Sequence, residues 1–189
     1  MAFEFKKTKI EGLLIIQPHM YPDERGLYEK FYERNIFAEN GVTCSFTEAS
    51  DLSSKKGALR GLHYQTVDSQ AKLIHAISGV LFDVALDLRE NSPTFGEYHT
   101  ELLKAKDNKI IFIPEGFAHG FIALTDNTIF SYLCSGRYVP EACGGIRWDD
   151  PELSIPWPLK EYGVEKVIAT EKDKNWPTLS EYKLRNVRK

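Results

Sequence analysis

Short apolar or alternating runs recur up to residue 133 and constrain the fold of this chain more than any other feature. They are rich in Ile, Val, Phe and Tyr and are separated by turn residues, a composition typical of β-strands. In the clearest run every second residue is apolar from Val80 to Leu88, while Asp83 and Asp87 lie on the other face. The predicted strands are Leu13–Ile16, Leu27–Tyr32, Thr43–Phe46, Leu59–Gln65, Leu73–Ile77, Val80–Leu88, Ile110–Ile113, Gly120–Leu124 and Ile129–Leu133.

Helical spacing is clear only at Glu33–Asn40, where Gly41 follows as a helix C-terminus requires. Many short strands with one short helix favour an all-β fold, either a sandwich, a jelly roll or a barrel. From Pro140 onward the chain is proline-rich and irregular, which predicts a segment that wraps over the β-core. The basic residues of the last ten positions predict a solvated tail rather than a binding surface. They are Lys183, Arg185, Arg188 and Lys189.

Length and composition exclude several classes of protein. The 189 residues predict a single domain over positions 1–189, large enough to bury a core without disulfides or metal. The 24 basic and 27 acidic side chains give a net charge of −3, which argues against a nucleic-acid-binding coat. The cysteines are odd in number and lack a C-x-x-C pair, so no disulfide framework is predicted. Neither a signal peptide nor a membrane span is predicted, which favours a cytoplasmic protein.

Polar residues inside apolar strands are the candidates for chemistry, because burying them without a partner costs free energy. His63, Asp83, His119 and Tyr132 all lie in such runs, and Lys72 stands at the start of another. Each has an ordinary structural explanation: a surface or core histidine, a solvent-facing carboxylate, a phenol that fills the core. Together they bring two imidazoles, a carboxylate and a phenol to separate strands of one barrel, whose interior is a natural ligand cavity.

The spacing Pro114-x-Gly116-x-x-His119 is similar to the second motif of the cupin jelly roll, where the turn aims the histidine inward. Metal-binding cupins supply H-x-H and a glutamate in their first motif, whereas this chain reads His63-Tyr64-Gln65 there. Two distant histidines are fewer than the three or four ligands that a stable site needs. We therefore predict a cupin barrel without a metal ion.

Longer blocks carry a more specific resemblance. RGLHYQ, SPTFG, PEGFAHGF, WDDP and EKD follow one another in the order found in the dTDP-4-dehydrorhamnose 3,5-epimerase family, and the similarity runs from about Gly12 to Pro177. The N-terminal Asp23-Glu24-Arg25-Gly26 also fits. The resemblance implies a cupin jelly roll, a dTDP-linked 4-keto-6-deoxy sugar as substrate, no cofactor, and a homodimer. Edge strands that need covering agree with the dimer.

The resemblance also implies roles for individual residues. His63 matches the base that removes a proton beside the sugar carbonyl, and Asp173 matches the carboxylate that orients it, a role that Asp83 could share. Lys72 matches the cation near the ketone oxygen, and Tyr132 matches the proton donor. Tyr138 matches the aromatic ring that stacks on the nucleotide base. The residues that match contacts to the nucleotide sugar are Arg25, Glu29, Arg60, His119 and Lys172.

Three departures from the family pattern fall on or near the substrate positions. The family's Gln-x-Asn is Glu48-Ala49-Ser50 here, a family glutamate is Cys143, and Lys-Leu-Val-Arg ends in His75. None removes the base, the cation or the acid, so the reaction type is expected to survive. The identity of the sugar, and whether both C3 and C5 are inverted, stays open.

Three alternatives therefore stand beside a 3,5-epimerase. One is an epimerase that inverts C3 only, another is a metal-dependent cupin isomerase or dioxygenase, and the third is a sugar-nucleotide binder without activity. Metal analysis separates the second alternative, and turnover of the keto sugar separates the third.

Overall fold

Two antiparallel sheets packed face to face form the protein, in a computed structural model that describes residues 2–186. The strands are β1 (Phe3–Lys7), β2 (Leu14–Pro18), β3 (Met20–Asp23), β4 (Gly26–Glu29), β5 (Phe46–Ser54), β6 (Leu59–Gln65), β7 (Lys72–Ser78), β8 (Val80–Asp87), β9 (Tyr98–Lys104), β10 (Ile110–Ile113), β11 (Phe117–Ala123), β12 (Thr128–Ser135) and β13 (Cys143–Gly145). The α-helices are α1 (Arg34–Glu39), α2 (Glu171–Lys174) and α3 (Leu179–Asn186).

Strand order in the two sheets confirms the predicted all-β cupin jelly roll. One sheet has six strands in the order β1-β2-β10-β7-β12-β5, and the other has five in the order β13-β6-β11-β8-β9. Strands β3 and β4 pair only with each other among the described residues, as a separate hairpin. The tips of β6, β7, β11 and β12 are thereby brought to one end of the space between the sheets.

Strand β8 is buried on both faces. The face that carries Asp83 and Asp87, which looked polar in the sequence, therefore also lies inside the protein. Leu81 and Ala85 pack between the two sheets, in one cluster with Phe121 and Phe130. Asp83 lies on this inner face and is fully buried, which excludes the ordinary explanation of a solvent-facing carboxylate. The opposite face of β8 packs under the C-terminal segment.

The C-terminal segment covers the five-stranded sheet as predicted. Ile146, Leu153 and Ile155 are buried against the outer face of β8 and β11, with Trp157 packed beside them. This segment is not wholly irregular, because it holds α2 and α3. The four-residue α2 has the sequence EKDK, which gives no apolar period, and is capped by Thr170 accepting a hydrogen bond from the Asp173 N–H.

The basic C-terminal residues are only partly a solvated tail. Lys183 and Arg185 lie in α3, and Lys183 forms an ion pair with Glu152 at 2.6 Å. Arg188 and Lys189 lie outside the described residues.

Helix α1 lies over the outer face of the six-stranded sheet, within one residue at each end of its predicted bounds. Its Phe37 is fully buried against Phe3 and Phe5. The strands Leu59–Gln65 and Ile110–Ile113 coincide with their predictions, whereas the run Thr43–Phe46 enters the sheet only at Phe46 and continues to Ser54. The alternation along β5 is polar and weak because one face of this edge strand is exposed.

The SPTFG block folds into a turn around the fully buried Asp87. Burial alone raises the pKa of Asp87, but hydrogen bonds from Arg89, Ser92 and Thr94 lower it to about 2. A carboxyl group whose pKa is lower in the folded than in the unfolded protein stabilises the folded state at pH values above its unfolded-state pKa. This stabilisation is lost as the pH falls through the folded-state pKa.

We expect Asp87→Asn to lower the free energy of unfolding at pH 7 by about 2 kcal/mol or more, from the pKa difference and the weakened hydrogen bonds. Urea denaturation between pH 7 and pH 2 measures this, and the variant should show less loss of stability below pH 4. Asp126→Asn is the control, since Asp126 is exposed and accepts one hydrogen bond. Equal stability of Asp87→Asn and the control would contradict the structural role of this turn.

Within residues 2–186 no helix has the length and apolar character needed to cross a membrane.

Candidate active site

A cavity of about 720 Å³ opens at one end of the space between the sheets. This volume suits a small-molecule ligand of the size of a nucleotide sugar. It gathers most of the candidate residues from the sequence, together with several that were not predicted. Its lining consists of Glu48, Ser50, Leu52, Arg60, His63, Gln70, Lys72, His119, Phe121, Phe130, Tyr132, Cys134, Tyr138, Cys143, Thr170, Lys172, Asp173 and Trp176.

A bulge in β6 turns Arg60 and His63 to the same side of the sheet, although their spacing would place them on opposite faces of a regular strand. His63 pairs with His119 and Arg60 with Phe121, so three steps along β6 face two along β11. The bulge requires glycine: Gly61 has a φ of +128°, and a Cβ there would lie 2.4 Å from the Gly120 Cα. The RGLH and HGF blocks therefore form one unit that aims Arg60 and His63 into the cavity.

His63 is held by a buried carboxylate from the C-terminal segment. Its Nε2 lies 2.5 Å from Asp173 Oδ1, and Thr170 donates a second hydrogen bond to the same carboxylate at 2.8 Å. These hydrogen bonds lower the pKa of Asp173, although its burial acts to raise it. An ionised carboxylate only accepts, so the His63 Nε2 carries the proton and Nδ1 keeps the free lone pair.

His119 forms a second imidazole–carboxylate pair beside the first. Its Nε2 lies 2.7 Å from Asp83 Oδ2, and Asp83 is fully buried. Asp83 is thus bonded to His119 and not to His63, which corrects the expectation that it shares the orienting role of Asp173. The cross-strand neighbours His63 and His119 have separate partners because their carboxylates come from different elements, α2 and β8.

Exposure distinguishes the two imidazoles. The His63 side chain is 45% exposed and the His119 side chain 11%, so His63 is the more accessible to a ligand. Burial lowers the pKa of His63 below its ordinary 6.5, although Asp173 acts to raise it. His63 is therefore neutral at pH 7, the state in which an imidazole accepts a proton.

Lys72 and Tyr132 lie on neighbouring strands of the opposite sheet. The Lys72 Nζ is 5.9 Å from the centre of the Tyr132 ring and also contacts Gln70 Oε1 at 3.1 Å and Cys134 Sγ at 3.4 Å. Burial raises the pKa of Tyr132, which keeps this phenol protonated at neutral pH. The cavity thus has an imidazole on one sheet and a protonated phenol with a lysine on the other.

Two of the three departures from the family pattern, Glu48-Ala49-Ser50 and Cys143, lie around the two tyrosines, whereas the third, His75, lies beside Glu29. Ser50 on β5 is directly opposite Tyr132 on β12, and Glu48 accepts a hydrogen bond from the Tyr138 N–H at 3.2 Å. The Tyr138 side chain is exposed at the edge of the cavity, where the neighbouring Cys143 raises the pKa of its phenol.

Trp176 and Gln70 line the cavity although neither was predicted. Trp176 lies 6.1 Å from the His63 ring in an edge contact, and the Lys172 Nζ lies 5.1 Å from a Trp176 ring. Gln70, on the loop before β7, is the other addition of interest. Neither carries a signal in the sequence, because an isolated tryptophan or glutamine in a loop is compatible with any surface role.

Arg25 and Glu29 do not line this cavity. Both belong to the hairpin β3–β4, where Arg25 is exposed and forms an ion pair with Asp23 at 2.6 Å. Glu29 is mostly buried, with its Oε1 3.0 Å from His75 Nε2. The other predicted substrate residues, Arg60, His119, Tyr138, Lys172, Glu48 and Ser50, all line the cavity.

Across residues 2–186 no group of three or more His, Cys, Asp or Glu side chains is placed to hold a metal ion. The two histidines of the cavity are each engaged by one carboxylate instead. Catalysis without a metal stays a prediction, to be tested in the presence of a chelator.

Comparisons with known proteins give one consistent result. A family model described as dTDP-4-dehydrorhamnose 3,5-epimerase matches residues 7–181. A protein of that name from Methanothermobacter thermautotrophicus is 46% identical over 179 residues, covering 95% of this chain and 96% of the relative.

Solved structures show the same similarity. An epimerase from Legionella pneumophila in complex with dTDP-4-keto-L-rhamnose has a TM-score of 0.89 and 38% identity, covering 94% of this chain and 93% of that one. A 3'-monoepimerase from Streptomyces bikiniensis in complex with dTDP-quinovose has a TM-score of 0.87 and 29% identity, over 95% of this chain and 90% of that one. With the jelly roll and its cavity, these matches establish that the chain belongs to the dTDP-4-dehydrorhamnose 3,5-epimerase family.

Proposed function

We propose that this isomerase inverts C3 and C5 of dTDP-4-dehydro-6-deoxyglucose to give dTDP-4-dehydro-L-rhamnose, without metal or other cofactor. The observation that carries the proposal is the pair of opposed walls: His63 with Asp173 on one sheet, and Tyr132 with Lys72 on the other. Inversion at a carbon needs a base on one face and an acid on the opposite face. The names of the relatives, and the ligand in the Legionella pneumophila structure, support this substrate.

In the first half of the reaction His63 removes the proton from the carbon next to the C4 carbonyl. The C–H bond breaks, the proton goes to the free Nδ1, and the electron pair passes to the carbonyl oxygen. Asp173 fixes the ring and stabilises the imidazolium that forms. A neutral imidazole with a pKa near the working pH is suited to this step.

In the second half Tyr132 returns a proton to the same carbon from the other face. Lys72 places a positive charge near the carbonyl oxygen, where it stabilises the enolate between the two transfers. The raised pKa of Tyr132 keeps its hydroxyl protonated until the enolate carbon takes the proton. The same arrangement serves C3 and C5 in turn, because both carbons are bonded to the C4 carbonyl carbon, which makes their protons acidic.

The cationic side chains around the cavity are suited to bind the pyrophosphate, and His119 is suited to contact the sugar. Arg60 and Lys172 both line the cavity, and a guanidinium binds phosphate oxygens in a bidentate manner. His119, held by Asp83, has little exposure and lies next to His63, which supports a contact with the sugar rather than with the nucleotide base.

Tyr138 is proposed to stack on the thymine ring, so the size and flatness of its side chain should matter more than its hydroxyl. We expect Tyr138→Phe to bind dTDP within about twofold of the parent, and Tyr138→Ala to weaken binding about tenfold, as loss of a base stack does. Isothermal titration with dTDP alone measures this without a sugar contribution. Equal weakening by both substitutions would instead assign a hydroxyl contact to Tyr138.

The hairpin β3–β4 supports the proposed homodimer. It presents Met20, Tyr21, Leu27 and Tyr28 to solvent at 39–61% exposure, an apolar surface that a partner would cover. We propose that two copies associate with twofold symmetry through this hairpin. Association of this kind would carry Arg25 and Glu29 toward the partner's cavity, which reconciles their predicted role with their place outside the cavity of their own chain.

Light scattering at micromolar concentration should give about twice the 21.6 kDa of one chain. Leu27→Glu and Tyr28→Glu should shift the protein toward the monomer and raise KM, because they bury charge in the interface. Leu184→Glu, at an exposed position on α3, is the matched control and should stay dimeric. A fully active monomer would contradict both the dimer and the shared site.

Incubation with dTDP-4-dehydro-6-deoxyglucose in D₂O containing EDTA tests the proposed function. Proton NMR should show deuterium at C3 and C5 of an L-configured product. Deuterium at C3 alone would favour the C3-only epimerase, an alternative supported by Glu48, Ser50 and Cys143 in the cavity and by the likeness to the Streptomyces bikiniensis protein. Loss of turnover that one added metal restores would overturn the cofactor-free reaction, and dTDP binding without exchange would identify a binder.

A further inference from the structure

The cavity contains an amide that none of the roles above uses. Gln70 lies on the loop before β7, two residues before Lys72, and its Oε1 accepts a hydrogen bond from the Lys72 Nζ at 3.1 Å. An ammonium only donates, so this contact fixes which end of the amide faces Lys72. The Nε2 end is then directed away from the ammonium.

That Nε2 is buried and has no hydrogen-bond partner among residues 2–186, although Gln70 lines the cavity. A buried donor left unpaired costs about 1–3 kcal/mol, so native proteins rarely keep one without a use. A donor kept ready beside a catalytic cation, in a ligand cavity, is the arrangement expected of a group that binds substrate.

Lys72 also has a hydrogen-bond donor without an acceptor. Its ammonium has three N–H groups, of which one faces Gln70 Oε1 and one lies 3.4 Å from Cys134 Sγ. One N–H of Lys72 and the Nε2 donor of Gln70 thus have no acceptor among residues 2–186, and the two side chains are in contact.

We propose that Gln70 and Lys72 form a two-donor site for the C4 oxygen of the keto sugar, an inference that rests on the proposed function. As His63 takes the proton, the electron pair passes to this oxygen and both donors strengthen their hydrogen bonds to it. No covalent bond to Gln70 forms. Gln70 acts twice, since its oxygen holds the Lys72 ammonium and its nitrogen contacts the developing enolate.

Two substitutions separate these tasks. Gln70→Leu removes both the partner of Lys72 and the donor. Gln70→Glu keeps an acceptor for Lys72 but puts a carboxylate oxygen where the N–H was, which cannot donate and repels the enolate. Tolerance of glutamate would therefore exclude the donor role, because a carboxylate beside the C4 oxygen can neither donate a hydrogen bond nor avoid repelling the enolate.

The test measures kcat, KM and deuterium wash-in at C3 for both variants, with dTDP affinity as the check of folding. We expect kcat and wash-in to fall about 10²–10³-fold in each, the loss typical of one oxyanion donor, with dTDP affinity unchanged. Gln17→Leu, which removes an amide bonded to the Asp107 carbonyl far from the cavity, should keep parental kinetics.

Activity of Gln70→Glu within about threefold of the parent would overturn the donor role, whatever the leucine variant does. If the parent protein itself neither turns over nor exchanges the keto sugar, the proposed function fails, and this inference fails with it. The parent's own wash-in thus distinguishes the two failures.

Discussion

Replacing His63 with alanine should abolish epimerisation and also stop the exchange of the C3 and C5 protons with solvent. His63 is the accessible imidazole of the cavity, with a free Nδ1 and a buried carboxylate on Nε2. Its loss removes the more accessible imidazole of that wall, and losing a general base costs about 10²–10⁴-fold in rate. NMR of recovered substrate in D₂O measures both quantities.

The matched control is His99→Ala, since His99 contacts Glu101 on β9 and does not line the cavity. It should leave the rates close to those of the parent. Exchange that persists in His63→Ala would move the base to another residue, with the neighbouring His119 as the first candidate.

Asp173→Asn should lower kcat and shift the acid limb of the pH profile. In the parent, kcat/KM should fall only below pH 6.5, because the pKa of His63 is lowered and the neutral imidazole is the active form. Asp173 stabilises the protonated ring, so its loss should move that limb to still lower pH. A limb that moves upward would contradict the assignment of Asp173 as the partner of His63.

Replacing Tyr132 with phenylalanine should separate exchange from inversion. Inversion should slow by about 10²–10⁴-fold because the acid on the second face is lost. His63 can still remove a proton and return a deuteron to the same face, so the recovered substrate should gain deuterium with its configuration retained. Tyr98→Phe removes a hydroxyl outside the cavity and should invert at the parental rate.

Much of the fold is predictable from the local sequence pattern, because alternating apolar residues in β8 and its neighbouring strands indicate which side chains are buried. What alternation alone cannot decide is which face meets the second sheet. Asp83 shows this: its face looks polar in sequence yet lies inside the barrel, where His119 satisfies the carboxylate.

The site required information that local pattern does not hold. Arg60 and His63 share a wall only because of the bulge at Gly61, which depends on the close approach of Gly120 on another strand. Asp173 reaches His63 from 110 positions away, and Gln70 and Trp176 carry no signal at all. These contacts arise from packing the C-terminal segment and the loop before β7 around the cavity. The resemblance supplied Asp173, but gave no indication that Arg25 and Glu29 stand on a separate hairpin.

The ratio of deuterium wash-in to inversion, measured side by side for the parent, His63→Ala and Tyr132→Phe, tests whether base and acid lie on opposite walls of one cavity. We expect wash-in with inversion for the parent, neither for His63→Ala, and wash-in with retention for Tyr132→Phe. Loss of wash-in from Tyr132→Phe as complete as from His63→Ala would contradict it, because the phenol would then take part in removing the proton.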